Sequence, residues 1–394
     1  MKSTVAAIEF GSSKVVTLVG EGSGSSAAQL LGFGVVPYDG YSEGHWNMPD
    51  EDVDQAIMNS IREAELSSGR EIREIYVGVP AAFIHIEQNE VSLTFDTERR
   101  IAEEDVDELM AKALNHSARD GWVVIHRSPA WFRVGERTTM EPVGLRGDSM
   151  RCMASFVTAD PSFLEDVQAR LESQSVRITG YLSPSLGQAL MLIPPEERDR
   201  IAVLVDVGYL NTEILFVRGD ALVYQEVFGL GGGHITADLA YGLKFTMEMA
   251  EELKRKFTFG AGQDLSATDS LGREVHVSRE RAAEIILPRA EEIADEAQKI
   301  IERAGVRLDS RSVFYLTGGG LMMRGNREYV SNIFERSVKT PQPMAVKLNS
   351  PMYSAALGLL ELVYESVSQL DLRPDASGKK GGKFGQMVKG FFTK

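Results

Sequence analysis

Residues 201–227 read IAVLVDVGYLNTEILFVRGDALVYQEV, and this stretch decides the architecture. Apolar, β-branched runs are broken by turn-forming clusters at Gly208–Asn211 and Gly219–Asp220, which is the pattern of strand, turn, strand, turn, strand. Residues 4–36 repeat it: TVAAIEF, the turn Gly11-Ser12-Ser13-Lys14, VVTLVG, then LLGFGVV beyond a Gly/Ser-rich stretch at Glu21–Ala27. No helix or Lys-Ser/Thr pair follows that stretch as a phosphate loop requires, so it reads as a plain hairpin loop. A β-meander that occurs twice, each time with helices after it, predicts an α/β chain of two similar lobes. Their turns would grip one ligand across a cleft.

Outward from the meanders, Val53, Ile57, Ile61 and Ala64 make a helical stripe within Asp50–Ser68, and EIYVGV follows as a strand. Between Ala82 and Ala159 the pattern changes to a small α+β unit: strand residues to Phe95, a helix through AEEDVDELMAKAL, then strands in WVVIHRSPAWFRV and RCMASFV. This unit is read as an insertion. Helix, strand and helix resume over Ser162–Leu192, and Pro194-Pro195 opens a polar stretch typical of a linker. After the second meander come helices from His234 to Lys256, a Gly/Ser/Asp-rich loop at Gly260–Gly272, a helix over Ser278–Ala304, the strand VFYLT, and helices at Arg324–Arg336 and Met352–Ser368. The division is a first lobe at 1–81, 160–194 and 345–368; the insertion at 82–159; a second-lobe core at 195–230 and 305–344; a helical subdomain at 231–304; a flexible linker at 369–382; and an amphipathic helix at 383–394.

Composition narrows the function. The 394 residues are 43% hydrophobic and 25% charged, which excludes a disordered or fibrous chain. A net charge of −15 repels phosphate backbones and argues against nucleic acid as a partner. The single cysteine, Cys152, and the absence of a leader-like start predict a reducing cytosol. No run of 18 apolar residues spans a bilayer.

Charge is uneven, however, because residues 376–394 hold five lysines and no acid. Within that tail Phe384, Met387, Val388, Phe391 and Phe392 fall at i, i+3, i+4, i+7 and i+8, one helical face. Lys389 lies opposite, while Lys383 and Lys394 flank the stripe, as for a helix lying among anionic lipid headgroups. Gly385 and Gly390 each cost roughly 1 kcal/mol in helix propensity, so the segment is expected to fold only on the membrane.

Three glycine turns at strand ends carry the candidate chemistry: Gly11-Ser12-Ser13-Lys14, Asp206-Val207-Gly208, and Gly318-Gly319-Gly320 after VFYLT. Small turns let backbone amides approach phosphate, and a carboxylate at a strand end can hold a hydrated metal ion. Their order and spacing resemble the actin, heat-shock chaperone and sugar-kinase superfamily. AAIEFGSSKVVTLVGE, IYVGVP before the insertion, EPVGLRG, GGGHITADLAYGL, AEELKRKF, PRAEEI and LTGGG resemble the FtsA family of actin-like bacterial division proteins more closely, over essentially the whole chain.

That resemblance implies an actin-like two-lobed fold with the inserted α+β subdomain in its first lobe, and ATP with Mg2+ in the cleft. Gly11, Ser12, Ser13 and Lys14 would form the first phosphate hairpin, and Asp206, Gly208, Asn211 and Thr212 the second. Gly318–Gly320 would lie by the adenosine, and Gly232 would also belong to the nucleotide site. Glu251, Lys254 and Arg255 would contact base and ribose, with a solvated charged face as the equal alternative. Glu9 and Asp206 would serve the metal, and Arg289 the C-terminal peptide of FtsZ. The implied partners are FtsZ, further copies in a filament, anionic lipid, and other division proteins through the insertion, at the cytoplasmic face of the septal membrane.

Two departures bear on chemistry. Glu9 stands where the superfamily has Asp, and Tyr209, Leu210 and Asn211 stand where its second hairpin has small residues, with Glu213 after them. Side chains there restrict φ and fill the approach to phosphate, so weak nucleotide binding and slow or absent hydrolysis are expected. The leading reading is a non-enzymatic adaptor that polymerises and ties a division filament to the membrane. A PilM-like pilus component or a kinase of the same superfamily are the alternatives.

Overall fold

The structure is a computed structural model that describes residues 3–22, 29–42, 44–115, 118–119, 121–343 and 347–371. Two five-stranded sheets form its framework. The first runs Arg177–Leu182, Glu74–Gly78, Ser3–Phe10, Lys14–Gly22, Gln29–Pro37; the second runs Val338–Lys339, Val313–Thr317, Ala202–Val207, Thr212–Arg218, Ala221–Phe228. In each, an antiparallel meander is extended by two parallel strands on the side of its first strand. The duplication read from the meanders thus continues through the whole sheet order.

Strand Ala202–Val207 shows why the sheets are buried on both faces. Ala202 and Leu204 join one hydrophobic cluster with first-lobe residues, while Val203, Val205 and Val207 join the second-lobe cluster. A strand rich in Val and Leu without polar alternation is what two covered faces demand. Helix Ser354–Asp371 packs on helix Pro184–Leu192 and on the strands of the first hairpin, returning the chain to the first lobe. The two helices cross backbone to backbone: a Cβ on Gly187 would lie 2.2 Å from the Gly358 carbonyl oxygen, and one on Gly358 would lie 2.1 Å from the Gln188 amide.

The insertion has its own sheet, in the order Ile84–Arg100, Arg146–Ala159, Val123–Val134, Arg137–Thr139, with helix Glu103–Leu114 covering it. Cys152 is buried in that small core, its Sγ 3.6 Å from Met110 Sδ, and burial pushes its thiol up to about 12, which makes it inert. The insertion also reaches the second lobe. The Ser155 hydroxyl donates to the Leu222 carbonyl and the Gln88 amide to that of Val223, while Ala130 and Trp131 complete the second-lobe core.

Three sequence expectations are corrected. Pro194-Pro195 does not open a loose linker: Pro195–Arg198 is a helical turn, with buried Arg198 3.2 Å from Asp220 and Glu197 paired to Lys339 at 2.6 Å. These charges are polar in sequence yet anchored by partners distant in the chain. The Gly260–Gly272 loop contains strand Leu265–Thr268, which pairs with Glu274–Val277 around a turn at Asp269–Arg273. Finally, the last helix continues to Asp371, three residues into the expected linker, because nothing before Pro374 interrupts helical backbone. The rest of that linker and the 383–394 helix lie outside the described residues. No helix among the described residues is long and apolar enough to cross a membrane.

Candidate functional site

A cavity of about 410 Å3 lies between the lobes, lined by both hairpins, the Gly318–Gly320 turn, and residues of helix Met247–Lys256. The first hairpin closes with the Gly11 amide donating to the Lys14 carbonyl at 3.0 Å. Its turn is anchored from outside, since the Ser12 and Ser13 carbonyls accept from the Gly40 and Tyr38 amides. The Ser12 hydroxyl faces the other lobe and accepts from the Leu210 amide at 3.0 Å. The Leu210 amide of the second hairpin is therefore already bonded to the first.

The second hairpin closes with the Gly208 amide on the Asn211 carbonyl at 2.9 Å. Its carbonyls hold the two other glycine turns: Gly208 accepts from the Gly232 amide, Tyr209 from Gly233, and Val207 from Gly320, at 2.7–2.9 Å. A Cβ on Gly320 would fall 2.3 Å from the Gly208 oxygen, and one on Gly232 2.4 Å from Gly320 Cα. Gly318, with φ of 88°, would drive a Cβ to 2.2 Å from Asp206 Oδ1. These glycines let three turns lie backbone on backbone, so Gly232 packs behind the cavity rather than lining it. Thr212 is likewise turned away: it is buried and its hydroxyl donates to the Leu230 carbonyl at 2.7 Å. Asn211 lines the cavity as expected.

The cavity floor is electrostatically unusual. Glu9, Asp206 and Glu213 line the cavity together, and Lys14 is the cation that acts on Glu9 and Asp206. Burial pushes the Glu9 carboxyl up to about 7, Lys14 opposing and Asp206 adding. Glu213 is pushed up to about 8 by burial and by Asp206, against a hydrogen bond from the Ser185 hydroxyl at 2.8 Å. Asp206 is raised by burial, opposed by the Gln188 amide and by Lys14, whereas burial lowers Lys14. One lysine does not neutralise three carboxylates, so the site either holds protons or accepts a cation. Hard oxygen donors suit Mg2+, which keeps most of its water and takes one or two carboxylates, so Glu9 and Asp206 fit it as an outer pair. Among the described residues no group of three potential ligands is close enough to coordinate a metal directly.

Helix Met247–Lys256 places Glu251, Lys254 and Arg255 at the cavity, but as an internally paired set. Lys254 is buried; its ammonium donates to the Gly232 carbonyl at 2.9 Å and the Thr236 hydroxyl at 3.0 Å, and pairs with Glu251 at 2.6 Å. Glu251 also binds Arg255 at 2.8 Å. The solvated-face reading fails for Lys254, and Arg255 is the cation of this set that remains largely exposed. Arg289, on helix Arg279–Arg303, is pinned by Asp238 at 2.7 Å and by Glu292, and does not line this cavity. Lys383, Phe384, Met387, Val388, Lys389, Phe391, Phe392 and Lys394 lie outside the described residues.

Sequence reasoning missed Tyr41, Ser185, Met352 and Tyr353, all of which line the cavity. The Lys14 ammonium stands 5.5 Å over the Tyr353 ring. Only Ser185 had a usable signal, the Ser183-Pro184 cap that starts its helix, with Ser183 Oγ accepting from the Leu186 amide.

Comparison with known proteins agrees with this arrangement. Residues 203–358 match the family described as cell division protein FtsA, and residues 82–158 match the SHS2 domain inserted in FtsA, together more than half of the chain. Cell division protein FtsA of Escherichia coli K12 is 25% identical, covering 93% of this chain and 91% of its own; that of Bacillus subtilis 168 is 25% identical, covering 90% and 82%. Among solved structures, the PilM–PilN type IV pilus biogenesis complex superposes with a TM-score of 0.61 at 18% identity, covering 91% of this chain and 98% of that one. ADP-bound MreB5 of Spiroplasma citri gives 0.57 at 10% identity over 94% and 99%, and the MamK double helical filament 0.53 at 13% over 91% and 98%. The fold is actin-like, and the chain belongs to the FtsA family of cell-division proteins.

Proposed function

We propose that this chain is an adaptor of bacterial division that assembles into filaments, holds FtsZ through its helical subdomain, and ties the ring to the cytoplasmic membrane by residues 383–394. The reading is carried by one conjunction: a chain of the FtsA family whose residues 383–394 place apolar side chains at helical spacing between lysines. About 1 kcal/mol per lysine near an anionic leaflet, with burial of three Phe side chains, gives one copy only reversible attachment. Copies lined up in a filament present later helices at high effective concentration, so assembly and membrane binding strengthen each other.

ATP with Mg2+ is proposed as the ligand of the interlobe cavity. Glu9 and Asp206 would hold the hydrated ion, Lys14 and the Gly11–Ser13 turn the phosphates, and Gly318–Gly320 with Arg255 the adenosine. The bound nucleotide would supply negative charge and metal between the lobes and so fix their separation. Because the Leu210 amide is bonded to Ser12 and Tyr209 crowds the second turn, binding is expected to be weak and hydrolysis slow or absent. The likeness to PilM is one of fold, while the curated sequence relatives are division proteins, which favours the division role. A fluorescent fusion in dividing cells tests the proposal: septal bands are expected, and a diffuse signal at normal expression opposes it.

A further inference from the structure

Away from the cleft, a pocket of about 550 Å3 lies where the insertion's strand Arg137–Thr139 meets the base of the second lobe. Four guanidinium groups line it: Arg137 from the insertion, and Arg200, Arg218 and Arg307 from the second lobe. Arg200 is committed to Asp309 at 2.7 Å. For Arg137, Arg218 and Arg307, no carboxylate lies within ion-pair distance among the described residues, although the protein carries an excess of acid and Glu196 and Asp199 share the pocket wall. Arg218 is half-buried, and its Nε is fully buried with no hydrogen-bond partner. Burial and the facing cations Arg133 and Arg200 weaken its hold on its proton, with Asp199 opposing. Arg133 and Arg218 both stand over the Trp131 ring, at 5.3 and 5.6 Å.

Like charges gathered in a crevice, with a buried donor left unmatched, are costly unless an anion completes them. Guanidinium groups suit phosphate because they bind its oxygens in pairs, and a bounded crevice between subdomains takes a small molecule rather than a flat surface. We propose that the crevice between Arg137, Arg218 and Arg307 is a binding site for a small soluble polyanion carrying its charge on phosphate groups. It is separate from the interlobe cavity and independent of nucleotide binding there. Since Arg137 belongs to the insertion and the other two to the second lobe, the ligand bridges these units.

Calorimetric titration of the full chain with inorganic pyrophosphate, without Mg2+, tests this, with Trp131 fluorescence as a second readout. Saturable binding is expected, weakened at least tenfold in R137E/R307E, whose altered residues are exposed and so leave folding intact. R137K/R307K, which keeps the charge but not the paired donors, is expected to weaken it at least threefold. Lys14→Gln, in the interlobe cavity, is expected to leave it within twofold. No binding by the full chain, undiminished binding by R137E/R307E, wild-type binding by R137K/R307K, or loss of binding in Lys14→Gln would each overturn the site.

Discussion

The two lobes share a sheet order and differ at their hairpin turns. Gly11–Ser13 is built of small residues and is held from outside, through its carbonyls, by the chain at Tyr38 and Gly40. Gly208–Asn211 carries Tyr209, Leu210 and Asn211, and its carbonyls hold the Gly231–Gly233 and Gly318–Gly320 turns. The first turn uses only the Ser12 hydroxyl across the cleft, on the Leu210 amide, whereas the second is a structural junction as well as a wall of the cavity. Duplicated sheets set where the turns meet; what each turn can bind depends on how much of its backbone is already in use.

The sharpest contrast comes from adding one methyl to each side. Gly320→Ala would press a Cβ against the Gly208 and Val207 backbone, so a loss of about 2–3 kcal/mol is expected in denaturant unfolding. Opening the second turn comes next: Tyr209→Gly with Leu210→Gly is expected to tighten Mg-ATP binding about tenfold by calorimetry, or about 1.4 kcal/mol. Unchanged affinity would show that these side chains are not what restricts the site.

The carboxylates provide a third probe. Glu9 and Glu213 titrate near 7 and 8 in the folded chain, above their unfolded value of 4.5, so the folded state binds more protons between those limits. Their protonated forms suit the fold, so stability falls as pH rises from about 4.5 to about 8 and levels off above that. His126, half-buried with its Nδ1 enclosed and lowered to about 4 by desolvation, acts oppositely but only below about 6.5. Between pH 7 and 8.5 the melting temperature is expected to fall, and the fall to shrink in Glu9→Gln and Glu213→Gln. The smallest effect belongs to Gly11→Ala, whose Cβ would meet the Lys14 oxygen at 3.2 Å; a change below about 0.5 kcal/mol is expected, and a loss equal to that of Gly320→Ala would erase the contrast between the turns.

The meanders were legible because strands buried on both faces leave unbroken Val/Ile/Leu runs between turn residues, as in Ala202–Val207. Helix Asp50–Ser68 was legible to the residue, since its apolar stripe starts after Pro49 and stops at Gly69, which takes the left-handed conformation. What escaped depends on partners far apart in sequence. Glu197 reads as a linker charge until Tyr315 and Lys339 fold onto it. Tyr41 and Tyr353 reach the cavity from opposite ends of the first lobe's sequence. Nor does any local pattern show that Ser12 and Leu210, 198 residues apart, bond to each other.

Tethering depends on the apolar stripe at residues 384–392 acting as a lipid anchor. Sedimentation of the full chain and of a truncation ending at Gly382 with anionic vesicles measures this directly. The full chain is expected to pellet with the vesicles and the truncated chain to stay in the supernatant; equal pelleting of both would contradict the tethering role.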